Sequence, residues 1–192
     1  MSQADLEARL AAIVRGSPTL MTVMETARAL ALPDWMIFSG AIYQRVLNHL
    51  TDRAPDYGIK DYDLGYFDAS DTSYEAEDLV IRRVAAAFAP PLRELVEVRN
   101  QARVHLWFEG KFGEPYAPLT STAEALGRFT TVAFAVGVRL EPDDRLTIVA
   151  PFGLNDLFAL RLTPNPSRQT EGFARTAASA TARWPEPTVA RA

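Results

Sequence analysis

The sequence predicts an α+β fold, a two-layer arrangement in which helices flank a mixed β-sheet, and three observations carry that prediction. Short apolar or alternating runs of strand length recur at residues 35–39, 61–67, 95–98, 136–140 and 146–149. Stretches of helical period separate the earlier runs, as crossover connections require. The last two runs are joined only by Glu141-Pro142-Asp143-Asp144, whose residues favour a hairpin turn, so antiparallel pairing is expected there.

Taken in order, Leu6, Leu10, Ile13 and Val14 recur at helical spacing up to Gly16. Ser17-Pro18 supplies an N-cap and a proline at the first helical position, opening a second helix that Pro33 stops. The apolar run 35–39 (WMIFS) predicts a buried strand, and Gly40 opens a helix through Tyr43, Val46 and Leu47. After a polar loop, Asp61-Tyr62-Asp63-Leu64-Gly65-Tyr66-Phe67 alternates and is rich in aromatics, hence a strand. Ser73 caps a helix that carries Glu75 and Glu77 in its first turn, where the helix dipole favours acids. Residues 95–98 predict a strand, 100–112 a helix and 154–162 a short late helix. From residue 167 the chain is rich in alanine and arginine with few large apolar residues. The expected division is a helical extension over 1–31, a single domain over 32–165, and a tail over 166–192 forming a peripheral helix or partly disordered.

With 192 residues, 48% of them hydrophobic and 23% charged, the chain has the composition of an ordinary globular protein. Its net charge of −4 argues against broad coating of nucleic acid. Arg161, Arg168, Arg175, Arg183 and Arg191 offer at most a local basic stripe. The absence of cysteine excludes disulfides, thiolate zinc sites and cysteine nucleophiles. No stretch approaches the ~18 apolar residues of a membrane span, and the charged N-terminus does not resemble a signal peptide. A cytoplasmic protein without membrane contact is expected. Neither a phosphate-binding Gly-x-x-x-x-Gly-Lys-Ser/Thr loop nor a Gly-x-Ser-x-Gly elbow is present.

The chemistry concentrates at Asp61 and Asp63. Two apart on a strand, they project from one face. Carboxylates so placed repel unless a proton or cation intervenes, and magnesium prefers such oxygens. Alone, the pair also fits a solvated strand end. The run WMIFSGA before it and Glu97 between Val96 and Val98 after it sharpen the case, because an acid among apolar neighbours either faces solvent or is kept for a ligand.

Strand, small-residue turn, helix, acid-x-acid strand and later acid together resemble the DNA polymerase β-type nucleotidyltransferase superfamily. Within it the chain is similar to a bacterial group of nucleotidyltransferase-like proteins, through Leu-Pro-Asp-Trp at 32–35, Gly40-Ala41-Ile42, Asp61-Tyr62-Asp63, the run 100–107 (NQARVHLW) and the run 150–157 (APFGLNDL). The superfamily turn usually begins with glycine, whereas this one is Ser39-Gly40-Ala41, and Tyr43 stands where one branch carries arginine. The resemblance implies a nucleotidyltransferase fold and transfer of a nucleoside monophosphate from a nucleoside triphosphate to an acceptor, with release of pyrophosphate. It implies Asp61, Asp63 and Glu97 as catalytic metal ligands for Mg2+ or Mn2+. Ser39, Gly40, Lys60, Arg99 and Arg103 are the candidate nucleotide-binding residues, with Arg99 and Arg103 expected on one helical face. The acceptor, a small molecule, a protein or an RNA end, is left open. So is a second reading, in which the chain is catalytically weak or inactive and binds a nucleotide or a protein partner. His105 is expected to be structural, and Asp156 a helix cap or accessory ligand.

Overall fold

A computed structural model describes residues 1–168 and 172–190. Helices α1 (Gln3–Arg15) and α2 (Pro18–Leu30) form as their sequence signals direct. Ser2 and Asp5 close a capping box on α1, and Ser17 accepts from the Leu20 N–H ahead of Pro18 on α2. Strand β1 (Met36–Phe38) leads into α3 (Gly40–Leu50), and β2 (Tyr62–Tyr66) into α4 (Tyr74–Ala87), capped by Ser73. The short α5 (Leu92–Leu95) precedes β3 (Val96–Asn100), followed by a 3₁₀ turn at Gln101–Arg103, α6 (Val104–Phe112) and α7 (Thr122–Leu126). The hairpin β4 (Gly137–Leu140) and β5 (Leu146–Val149) follows, then α8 (Asn155–Phe158), β6 (Arg161–Leu162), α9 (Gly172–Thr181) and β7 (Thr188–Val189).

The main sheet has the order β3-β2-β1-β4-β5, with β2 and β3 parallel and the other pairs antiparallel. It is therefore the mixed sheet expected of an α+β fold. Its two faces differ, because side chains alternate along each strand. Ile37, Tyr62, Leu64, Tyr66, Val98, Val138 and Leu140 point into one core shared with the buried faces of α1, α2 and α3. Met36 and Phe38 point the other way, into a small cluster with Leu126. That second face is only partly covered, and it carries the acids.

Three expectations are corrected by the packing. Arg99 and Arg103 do not share a helical face, because β3 runs on through Asn100. Its backbone N–H donates to Glu77 at 2.8 Å, and its side chain accepts from the Ala102 N–H. The late helix stops at Phe158, since Leu160 takes a positive φ of 51° and residues 161–162 pair in parallel with β7. The tail is not peripheral over its described part. Phe173, Ala177 and Ala180 of α9 belong to the main core, and Trp184 is fully buried with its indole N–H donating to Asn48 at 2.8 Å. Residues 169–171 and 191–192 of that tail, Arg191 included, lie outside the described residues. The proposed 1–31 extension packs into the same core through Leu6, Leu10, Val14 and Leu20.

Candidate active site

Asp63 is the second residue of β2, half-buried on the partly covered face of the sheet, with Phe38 of β1 beside it on one flank and Glu97 of β3 on the other. Parallel, in-register neighbours share a face, so Asp63 and Glu97 are adjacent in the ladder, as are Gly65 and Arg99 one step along. Asp61 immediately precedes the strand. A Cβ on Gly65 would stand 2.4 Å from the Phe38 ring, so only glycine lets that ring lie against the sheet next to the acids.

The electrostatics show what this placement costs. Burial is the main reason the Asp63 carboxyl is pushed up to about 6, and the neighbouring Asp61 and Glu97 charges push in the same direction. A hydrogen bond from the Ser39 hydroxyl and the charge of Arg99 pull it back. Asp61 is likewise raised by burial and by Glu97, with Lys60 opposing. Among the described residues, none of these three acids forms an ion pair.

This is a donor set short of positive charge, and hard carboxylate oxygens suit magnesium, which takes one or two carboxylates and fills its remaining positions with water and phosphate. Asp61 and Asp63 fit that requirement. Among the described residues, however, no three His, Cys, Asp or Glu side chains form a ready-made metal cluster. Glu97 stands beside the pair, exposed, and does not close onto it.

Ser39 carries a backbone cost. It takes φ 65° and ψ −141° at the start of α3, a conformation that suits glycine and strains other residues. Its hydroxyl does not cap the helix. Gly40 lies beneath Gln44, whose Nε2 would be 2.6 Å from a Cβ. Of the remaining candidates, Arg99 lies on the acid face, and Lys60 is exposed beside Asp61. Arg103 is elsewhere: its guanidinium is paired with Glu77 in the interior, and its Nε donates to the Thr72 carbonyl at 2.8 Å. It ties β3 to α4, and the expectation that it binds nucleotide is withdrawn. Asp156 accepts from Arg161 at 2.8 Å and from Thr163, which makes it a structural latch rather than a cap or ligand. His105 is half-buried on α6, its Nδ1 enclosed without a hydrogen-bond partner.

Two cavities open onto the acids, and another adjoins them at Phe38 and Ser39. One of about 170 Å³ is lined by Asp63, Glu97, Arg99, Trp107 and Phe108. A second, of about 280 Å³, shares Phe38, Gln101 and Phe108 with it and adds Ser39, Tyr116 and Arg128. Tyr43, stacked on Phe134 with ring centroids 3.8 Å apart, forms part of its wall. The third, about 380 Å³, is lined by Gln44, Lys60, Asp61, Ser179, Ala182 and Arg183. A larger space of about 620 Å³ between α1 and the end of α3 includes none of the three acids. The aromatic walls and the α9 contributions are what the sequence reading missed. Of the tail residues at these cavities, Arg168 and Arg183 had a signal, as members of the tail's arginine series.

Residues 25–189 match the sequence profile of the NTP_transf_6 family, described as Nucleotidyltransferase. The chain belongs to this nucleotidyltransferase family. No curated protein matches it. A solved structure described as "The NMR structure of the protein reveals a CCA-adding enzyme head domain" is similar with a TM-score of 0.76 and 24% identity, over 100% of this chain and 97% of that one. That likeness shows the nucleotidyltransferase head-domain fold. Among the described residues no helix is long and apolar enough to cross a membrane.

Proposed function

We propose that this nucleotidyltransferase is metal-dependent and transfers a nucleoside monophosphate from a nucleoside triphosphate to an acceptor hydroxyl. The oxygen of the acceptor bonds to the α-phosphorus, the bond from that phosphorus to the bridging oxygen breaks, and pyrophosphate and the hydroxyl proton are released. The observation that carries this reading is the unpaired Asp61–Asp63 couple, with Glu97 in register beside it, at the foot of the turn that opens α3.

In this reading Asp61 and Asp63 hold the metal, and Glu97 completes the set from the neighbouring strand. When bound, Mg2+ or Mn2+ neutralises charge on the triphosphate and lowers the pKa of the attacking hydroxyl. The chain does the positioning. Ser39 orients the Asp63 carboxylate, and the amides at the start of α3 face phosphate, helped by the helix dipole. Phe38 and Phe108 line the cavity that receives the base. Arg99 stands next to Glu97 on the side left for the acceptor, which can be a small molecule, a protein or an RNA end.

The test is incubation with each of the four labelled ribonucleoside triphosphates and magnesium, scoring pyrophosphate release and labelled products. Turnover that disappears in Asp63→Asn supports transfer. The open arrangement of Glu97 favours a second reading, nucleotide binding without turnover. That reading is correct if nucleotide binds, no pyrophosphate forms with any acceptor class, and Asp61→Asn with Asp63→Asn leaves the binding intact.

A further inference from the structure

The cavity on the outer side of Asp61 has a composition unlike the aromatic ones. Its walls are Gln44 from the first turns of α3, Lys60 and Asp61 from the approach to β2, and Ser179, Ala182 and Arg183 from the end of α9 and the turn after it. Consecutive residues of α3 divide the space: Tyr43 lines the aromatic cavity and Gln44 this one. Helix α9 spans both, giving Thr176 to the first and Ser179 to the second. A ligand lying over the start of α3 therefore has an aromatic compartment at one end and a basic one at the other.

Arg183 is held but not neutralised. Its Nη1 donates to the Gly58 carbonyl at 3.2 Å and to Gln44 Oε1 at 3.4 Å, its Nε donates to the Ser179 carbonyl at 3.3 Å, and its guanidinium stacks over Trp184 at 4.6 Å. All these partners are uncharged. Among the described residues neither Arg183 nor Lys60 forms an ion pair, although seven acids crowd residues 61–78. The fully buried Trp184 anchors the guanidinium next to Asp61, so little side-chain freedom remains to be lost on binding.

We propose that Arg183 and Lys60 bind the β- and γ-phosphates of the nucleoside triphosphate, and the pyrophosphate formed from them, in the cavity beside Asp61. The site rests on the transferase reading for its substrate and extends it to the tail. Arginine offers a planar fork to phosphate oxygens and lysine a point charge, a combination suited to a flexible dianionic end. The tail helix is then one wall of the catalytic groove, in the cavity that Asp61 also lines.

The experiment titrates inorganic pyrophosphate, and separately a non-hydrolysable triphosphate analogue with magnesium, into ¹⁵N-labelled full-length protein. It follows the Arg183 Nε–H resonance, assigned by its loss in Arg183→Lys. A saturable shift with both ligands is expected. Arg183→Gln and Lys60→Gln, each checked for native circular dichroism, should raise KM for the triphosphate roughly tenfold and weaken the binding of inorganic pyrophosphate in parallel, and Arg183→Lys should keep most of the affinity. An unmoved Arg183 resonance at saturating analogue, or unaltered KM in both glutamine variants, overturns the proposal. A saturable Arg183 shift in a protein that shows no turnover supports the phosphate site and overturns the transferase reading instead.

Discussion

Asp63 and Glu97 face each other across the parallel β2–β3 ladder, on the side of the sheet that helices leave partly open. Their proximity, with Asp61 before the strand, leaves negative charge that no arginine or lysine of the described chain pairs directly. The energetic strain of the site and the cation binding proposed for it thus rest on the same feature.

Stability should depend on pH through Asp63. Its native carboxyl is raised to about 6 from 3.8, so the folded state holds the proton more tightly than the unfolded one. That contribution is fully present below pH 3.8 and is lost as pH rises through about 6. Asp63→Asn should therefore stabilise the metal-free protein at pH 8 by about 2–3 kcal/mol and change little at pH 4. Urea unfolding of both proteins in chelator at the two pH values checks the sign. The metal binding proposed for Asp63 should follow the opposite course and strengthen as pH rises through about 6.

Ser39→Gly should relieve the backbone. With φ 65° and ψ −141°, serine is strained where glycine is not, and the exchange is expected to stabilise the fold by about 1 kcal/mol. Ser39→Ala keeps the strain and removes the hydroxyl, so it should bring no stabilisation and push the Asp63 carboxyl further up. Thermal unfolding separates the variants, and carboxyl-carbon NMR reports the titration.

Gly65→Ala should be destructive for a steric reason. The new methyl would meet the Phe38 ring 2.4 Å away, and overpacking of this kind costs roughly 1–3 kcal/mol. Displacing Phe38 also disturbs the wall shared by the two cavities at the acids, so nucleotide affinity should fall along with stability. Denaturant unfolding and a nucleotide titration on the folded fraction measure the two effects.

Arg103 and Arg99 should part company. Arg103→Ala leaves the Glu77 charge buried and alone, a loss of about 3–5 kcal/mol. Arg99→Gln is expected to change stability by less than about 0.5 kcal/mol and to weaken acceptor use, because Arg99 lines the cavity with Glu97. Unfolding free energies and steady-state kinetics on the two variants test the division.

Relations with a short local period were legible in the sequence. Asp61 and Asp63 share a face because strands alternate, and Ser17-Pro18 or Ser73 announce helices because their hydroxyls meet amides two or three residues on. The sheet was legible as a set of strands. Its register was not, since which residue of β3 meets Asp63 depends on how α4 crosses the core. Arg103 was misjudged because its partner Glu77 lies 26 residues earlier. The tail was misjudged because its composition is weak and its anchors are distant in sequence: α9 packs small residues into the main core, and Trp184 reaches Asn48 across 136 positions. The late strands β6 and β7 pair across 27 positions, Arg161 with Thr188, and have no local signal. The turn at Ser39 was visible as a departure from glycine, but its positive φ is set by the folded backbone and leaves no mark in the sequence.

The most direct measurement is a titration of Mn2+ followed by water-proton relaxation, with and without a non-hydrolysable triphosphate, on the native protein and on Asp63→Asn. The native protein should show saturable manganese binding that the triphosphate strengthens, and Asp63→Asn should lose both by tenfold or more. Equal manganese and nucleotide affinity in the two proteins would contradict a metal site at Asp61 and Asp63, and with it the metal-dependent transfer proposed for them.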